Sequence, residues 1–384
     1  MSARPPVRVA FAKPSIGEEE IAAVAETLRT GWIAAGPRTA ALEERFRDSI
    51  GSKHAVAVSS CTGALHIAYT LLGVEGGEVI VPTLTFAATA LSAVHAGATP
   101  VFVDVLDSTL NIDPSAVERA ITPKTKAIVA MHYAGLPCDM AALLDIGARH
   151  DLPVLEDDAH AIGTFWQGKA AGSIGVAGCF SFYANKNFTT VEGGMLTTSQ
   201  DDFVARAKAL RLQGMTRDAF RRDEAASWRY EIVEAGFKYP MNDVSAAIGL
   251  VQLGKLPEWQ RRRARIASLY REALQGIPGV RLPAAANEGD VHGNHLFVVR
   301  IDPEIVGRDK LGVALRESGI ESSVHFVPLH LQPYFQRAWG CHEGQFPVAE
   351  RAFREILSLP MHGGMADYDA LLVANEVRRI LTPR

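Results

Sequence analysis

Between His54 and Thr198 the chain repeats one pattern, a short apolar run followed by a helix-periodic segment, and no other feature limits its fold as much. Ala55-Val-Ala-Val58, Glu78-Val-Ile-Val81, Pro100-Val-Phe-Val-Asp104 and Lys126-Ala-Ile-Val-Ala-Met131 have the length and β-branched content of buried strands. Helical spacing follows each: Leu65, Ala68, Leu71 and Leu72 after the first, then segments near 86–95, 114–121 and 139–149. A strand that returns through a helix lies parallel to its neighbour. The alternation therefore predicts an α/β domain with a mostly parallel central sheet flanked by helices. Residues 1–254, with N-terminal helices at 15–29 and 38–49, are assigned to this large domain. An amphipathic helix at 202–212, an exposed loop at 216–231 and a helix capped by Asn242 or Asp243 follow within it. Residues 255–384 read as a smaller C-terminal α+β domain: a basic helix at 260–273, strands at 295–300 and 321–326, and helices near 308–318 and 367–380.

In open α/β sheets ligands bind outside the carboxyl ends of the strands, so the residues there carry the functional reading. Leu152-Pro-Val-Leu-Glu-Asp-Asp-Ala-His160 ends a strand in three carboxylates and a histidine. Cys179-Phe-Ser-Phe-Tyr183 breaks at Ala184-Asn185 and delivers Lys186, ahead of Glu192-Gly-Gly194 and a further strand at 195–198. An amine held between buried strands loses solvation, which lowers its pKa and makes it a nucleophile toward a carbonyl. A strand-end carboxylate such as Asp157 can face a protonated pyridine nitrogen. A Schiff-base lysine and an acidic partner for the ring nitrogen are the two contacts pyridoxal phosphate needs.

Each signal is weak alone. A lysine past a strand reads as well as a solvated loop residue, and Glu156-Asp157-Asp158 as a capped helix start. Their pairing at two strand ends favours the cofactor. A third stretch agrees: Ser59-Ser-Cys-Thr-Gly-Ala-Leu65 turns a strand into a helix through small residues, which suits a phosphate at the helix N-terminus.

Composition excludes several other classes. Thirty-nine basic against 43 acidic residues give a net charge of −4, no footprint for nucleic acid. Cys61, Cys138, Cys179 and Cys341 show no CxxC pairing, so neither a disulfide framework nor a zinc ribbon is indicated. His325 and His330 lack carboxylates at ligand spacing, and no metal is expected. No apolar window approaches the ~18 residues of a membrane span and no signal core opens the chain, so a cytoplasmic protein without membrane contact is expected. Neither GxGxxG nor GxxxxGK[ST] follows a strand.

The ordered motifs Ser59–Leu65, Pro82–Thr89, Glu156–His160, Phe180–Lys186, Glu192–Gly194 and Pro328–Pro333 resemble the DegT/DnrJ/EryC1/StrS family of pyridoxal-phosphate-dependent sugar aminotransferases. The resemblance runs from Gly31 to Pro360 and implies the fold-type I architecture. It places Lys186 as the lysine that carries the cofactor and shuttles a proton, and Asp157 as the partner of the pyridine nitrogen. It puts His160 near the phenolic oxygen, Phe86 on the ring, and Thr62, Gly63 and Ser181 around the phosphate. Trp32 and His330 fall at substrate-side positions. The family's further phosphate contact, an Asn supplied by the partner subunit, corresponds to Lys238 here, and Cys61 stands where glycine is common.

The function so implied is transfer of an amino group from L-glutamate to a nucleotide-linked keto-sugar, most simply a 4-keto sugar, by a ping-pong cycle in a homodimer with shared sites. A regulatory or structural protein that binds pyridoxal phosphate without turnover, or another fold-type I reaction on an amino acid, are the alternatives. Relatives that dehydrate sugars carry His where Lys186 stands, which argues against that chemistry. Sugar and nucleotide choice is expected to lie in loops such as 31–37, 216–231 and 325–333.

Overall fold

Strands β1 (His54–Val58), β2 (Glu78–Pro82), β3 (Thr99–Val103), β4 (Thr125–Met131) and β5 (Val154–Asp157) form where the alternation predicts them. A small hairpin, β6 (Phe165–Trp166) and β7 (Lys169–Ala170), precedes β8 (Ala177–Ser181) and β9 (Gly194–Thr198). In this computed structural model, which describes residues 6–216 and 230–382, the five strands join β8 and β9 in one sheet of order β1-β9-β8-β5-β4-β2-β3. Only β9 runs against its neighbours; β8, β5, β4, β2 and β3 pair in parallel. Val79, Ile80 and Val81 have no exposed surface, because helices cover both faces of the sheet. Full burial of each such side chain contributes roughly 1.5–3 kcal/mol.

Helices α1 (Glu18–Thr30), α2 (Pro37–Ile50), α3 (Cys61–Leu71), α4 (Ala87–His95), α5 (Pro114–Ala120), α6 (Met140–His150) and α7 (Asp201–Leu210) follow the predicted spacing. Their starts are chemically specified. Ser60 accepts the Gly63 N–H to cap α3, Asp113 and Pro114 open α5, and Asp139 caps α6. Residues 217–229, within the stretch read as an exposed loop, lie outside the described residues.

Helix α8 (Asp243–Leu274) departs from expectation. Two helices were predicted, and one helix of 32 residues forms, passing straight through Pro257. An interior proline costs about 3 kcal/mol or more; packing on both halves offsets it. The helix lies against α1 and α2, and farther along it buries Ile266, Leu269, Tyr270 and Leu274. Its cap is Asn242. Asp243 instead accepts the N–H groups of Gly36, Arg38 and Thr39 and so closes the N-terminus of α2. The proposed domain boundary at 254/255 falls inside this helix.

The C-terminal part holds β10 (Val280–Arg281), β11 (Phe297–Ile301), α9 (Arg308–Glu317), α10 (Pro333–Trp339), α11 (Pro347–Glu355), β12 (Ile356–Leu359) and α12 (Asp367–Leu381). Its sheet is antiparallel, of order β10-β11-β12. The strand expected at 321–326 does not form. That segment makes a single bridge, Ser323 to Ser358, and β12 takes the place beside β11. Val9, from the arm assigned to the large domain, bridges to Ile320 and packs in the C-terminal core.

Polar contacts fasten the two parts. Asp107, beyond β3, binds Arg281 at 2.6 Å, Arg300 at 2.6 Å and Arg351 at 2.8 Å. Asp104 accepts the N–H groups of Val348 and Ala349 at the start of α11. No helix among the described residues is long and apolar enough to cross a membrane.

Candidate active site

The parallel strands deliver their carboxyl ends to one edge of the sheet. There the turn after β1, the end of β5, the end of β8 and the loop before β9 enclose a cavity of about 390 Å³. Lys186, Asp157, Thr62, Phe86, His160 and Ser181, six of the residues singled out from the sequence, line it.

Lys186 is buried. Loss of solvation brings its pKa down to about 8, against the pull of Cys61 and Asp157 toward the charged form. Burial pushes the Asp157 carboxyl up. The Thr89 hydroxyl, the Ala159 N–H and Lys186 each draw it back toward ionisation. The first two are direct bonds: Thr89 Oγ1 donates to Oδ2 at 2.7 Å, and the Ala159 N–H donates to Oδ1 at 3.1 Å. Thr85 lies 2.8 Å from the Thr89 hydroxyl and completes the chain. Asp157 is thus clamped from the α4 side in one orientation.

His160 is held neutral by burial and then by Lys186. Its Nδ1 has no hydrogen-bond partner, and neither has Oδ1 of Asn185. Both side chains border the cavity. His160 stacks on Phe326 with centroids 5.7 Å apart and leans on His295 at 4.4 Å. Phe86 stands across from Phe326 at 5.8 Å with 60% of its surface exposed. A large aromatic so exposed at a cavity mouth offers its face to a flat ligand.

Four expected residues lie elsewhere. The Gly63 N–H is taken by Ser60 Oγ at 3.1 Å, its ring neighbour is Tyr239, and it does not line the cavity. His330 is fully buried with both ring nitrogens engaged, Nδ1 by Thr83 at 2.7 Å and Nε2 by Glu350 at 2.9 Å. It braces the C-terminal part and does not border the cavity. Trp32 sits on the loop between α1 and α2, and Lys238 bridges to Leu212; neither borders this chain's cavity. Thr89, Asn185 and His295 border it without having been singled out, as do His325 and Phe326 from the 325–333 loop named for sugar choice. Thr89 lies in a motif that the sequence displayed, but its bond to Asp157 spans 68 residues and has no local signal.

A larger cleft, about 620 Å³, lies between α2 and α7. Its buried charges, Arg211 and Glu43, pair with each other.

The smaller cavity's donor set suits a phosphorylated pyridine aldehyde. It offers a dehydrated amine, a fixed carboxylate, an aromatic lid and the N-terminus of α3, whose first-turn N–H groups lack intrahelical acceptors. A parallel sheet with this edge is the architecture of the fold-type I pyridoxal-phosphate-dependent aminotransferases.

The sequence profile of the DegT/DnrJ/EryC1/StrS aminotransferase family matches residues 14–378, and the chain belongs to that family. Enzymes of this family use pyridoxal 5'-phosphate. The chain is 45% identical over 376 residues to the spore coat polysaccharide biosynthesis protein SpsC of Bacillus subtilis, covering 97% of this chain and 96% of that one. It resembles the PLP-form structure of the putative sugar aminotransferase Spr1654 from Streptococcus pneumoniae, with 32% identity and a TM-score of 0.89. That match covers 97% of this chain and 100% of the other. DesI, solved in the presence of its TDP-sugar product, matches with 32% identity and a TM-score of 0.86, covering 100% and 94% of the two chains.

Proposed function

We propose that the protein transfers an amino group from L-glutamate to a nucleotide-linked keto-sugar, most simply at C4, with Lys186 and Asp157 carrying the chemistry. The observation that bears most weight is the dehydrated Lys186 amine in one cavity with the clamped Asp157. When bound, the cofactor supplies an aldehyde that takes up an amine and a protonated ring that accepts an electron pair.

The chain's own groups do the rest. Lys186, with its pKa near 8, is about one-tenth neutral at pH 7, far more than a solvated lysine, and available as nucleophile and then as proton carrier. Asp157, fixed by Thr89 and Ala159, keeps the ring nitrogen protonated. Phe86, exposed at the cavity mouth, would stack on the ring. Thr62, Ser181 and the start of α3 bind phosphate. Neutral His160, with an unpartnered Nδ1, would hydrogen-bond the cofactor's phenolic edge.

Apart from histidines, Lys186 is the one basic side chain bordering the cavity among the described residues. A dianionic phosphate and a nucleotide diphosphate call for more. That shortage favours a homodimer in which the partner supplies cationic groups, Lys238 among them. The DesI structure's TDP-sugar product supports the same acceptor class.

A panel of nucleotide keto-sugars incubated with glutamate, with products identified by mass, tests this reading. An aminated sugar and 2-oxoglutarate are expected in equal amounts. Glutamate-dependent cofactor turnover with no amination of any keto-sugar would overturn the acceptor assignment.

A further inference from the structure

Strand β5 turns neighbouring carboxylates to opposite sides. Asp157 borders the cavity; Glu156 and Asp158 face away from it, toward His132, Gly172 and Gly178. Nε2 of His132 stands 3.2 Å from Oε2 of Glu156 and 3.7 Å from Oδ1 of Asp158, and all three side chains are fully buried. Glu156 is well partnered. Its Oε1 accepts the N–H groups of Ile174 at 2.9 Å and Gly175 at 2.7 Å, and its Oε2 that of Gly172 at 3.0 Å. Asp158 is not: neither of its oxygens has a hydrogen-bond partner. A buried ionised carboxylate without a partner is severely penalised, so something must neutralise it.

One histidine and two carboxylates within 4.8 Å of one another form a set that a divalent cation or a proton can satisfy. His132 decides between them. Burial lowers the His132 pKa, and Cys138, Glu156 and Asp158 more than reverse that. Its Nδ1, however, accepts the Cys138 N–H at 3.0 Å, so that nitrogen bears no hydrogen and the single ring proton sits on Nε2, facing the carboxylates. A metal-ligating imidazole needs the reverse, a bare Nε2 with Nδ1 donating outward. Space is short as well. A Cβ at Gly178 would lie 2.6 Å from Oδ2 of Asp158, and one at Gly172 would lie 3.0 Å from it, so backbone packs directly on the carboxyl.

We propose that His132, Glu156 and Asp158 form a buried proton site, with the proton on the Asp158 carboxyl, Glu156 ionised and the His132 ring neutral. The groups facing Asp158 are His132 just past β4, Glu156 and Asp157 from β5, and Cys179 from β8, with Cys138 behind the imidazole. Burial, and next the Glu156 charge, push Asp158 well above the usual carboxylate range. One consequence depends on the role proposed above for Asp157. A second ionised carboxyl behind β5 would raise the proton affinity of Asp157. A neutral Asp158 leaves Asp157's charge available to the cavity.

Infrared difference spectra of the holoenzyme at pH 8, wild type minus Asp158→Asn, test the site. A protonated-carboxyl carbonyl band that shifts in D2O is expected from the wild type. In the unfolded chain Asp158 ionises near pH 4, whereas the folded chain keeps its proton. The wild type therefore loses stability as pH rises above that value, and Asp158→Asn does not. The difference in Tm, variant minus wild type, should grow by a few degrees from pH 4 to pH 8.

A wild type without a protonated-carboxyl band at pH 8 overturns the proposal even if the variant does not fold. So does a Tm difference that falls with pH. Stoichiometric zinc or manganese, retained after desalting by the wild type and lost in Asp158→Asn, would replace the proton with a metal. If the band appears but Lys186 never captures pyridoxal phosphate, the proton site stands and the cofactor assignment fails.

Discussion

Asp107 and Asp157 are the same side chain in opposite circumstances. Asp107, at the seam between the two parts of the chain, is surrounded by Arg281, Arg300 and Arg351, and their hydrogen bonds hold its carboxyl well below the usual range despite partial burial. Asp157 is buried at the sheet edge with two hydrogen-bond donors, and burial pushes it up. A charge saturated by partners has no capacity left for a ligand and serves as a fastening. A charge held in place but left short of partners is what a reacting site requires.

That contrast can be broken by removing each kind of group. Lys186→Ala should reduce turnover at least ~10³-fold, because it removes both the nucleophile and the proton carrier. Steady-state assays with the best keto-sugar will show it, and the fold, followed by circular dichroism, should be unchanged. Asp157→Asn keeps the shape and removes the charge, with an expected loss of ~10²–10³-fold in kcat. An Asn variant within a factor of two of wild type would put Asp157 among the structural charges.

The pH dependence of cofactor capture sharpens the comparison further. Lys186 must be neutral to attack, and its pKa lies near 8. The rate of covalent capture by apoprotein should therefore rise about tenfold per pH unit below 8 and level off above it. A profile still climbing toward pH 10 would mean that Lys186 is solvated. The smallest effect is expected at Asp107, which is 37% exposed in its side chain. After allowance for solvent screening, Asp107→Ala should cost about 1–2 kcal/mol in denaturant unfolding. Its effect on the half-reaction with glutamate should be slight.

The sheet was legible in the sequence because its strands are buried on both faces and read as continuous apolar runs between helical periods. The C-terminal part was less so. Ile356-Leu-Ser-Leu359 follows α11 without a glycine or proline to mark the change, and the segment at 321–326 has strand-like alternation but turns His325 and Phe326 to the cavity. The single helix α8 was not legible because the packing that carries it through Pro257 comes from distant segments. Within the site, Lys186 and Asp157 announced themselves locally, at the ends of apolar runs. Thr89 and the Asn187–His295 pair did not, since those contacts span 68 and 108 residues. His330 lies in a distinctive motif, yet its imidazole is used up by Thr83 and Glu350.

Hydride reduction of protein loaded with pyridoxal phosphate, followed by peptide mapping, addresses the central claim most directly. A single reduced adduct on Lys186, absent from Lys186→Ala, is the predicted result. An adduct on another lysine, or protein that remains colourless with the cofactor, would contradict the account.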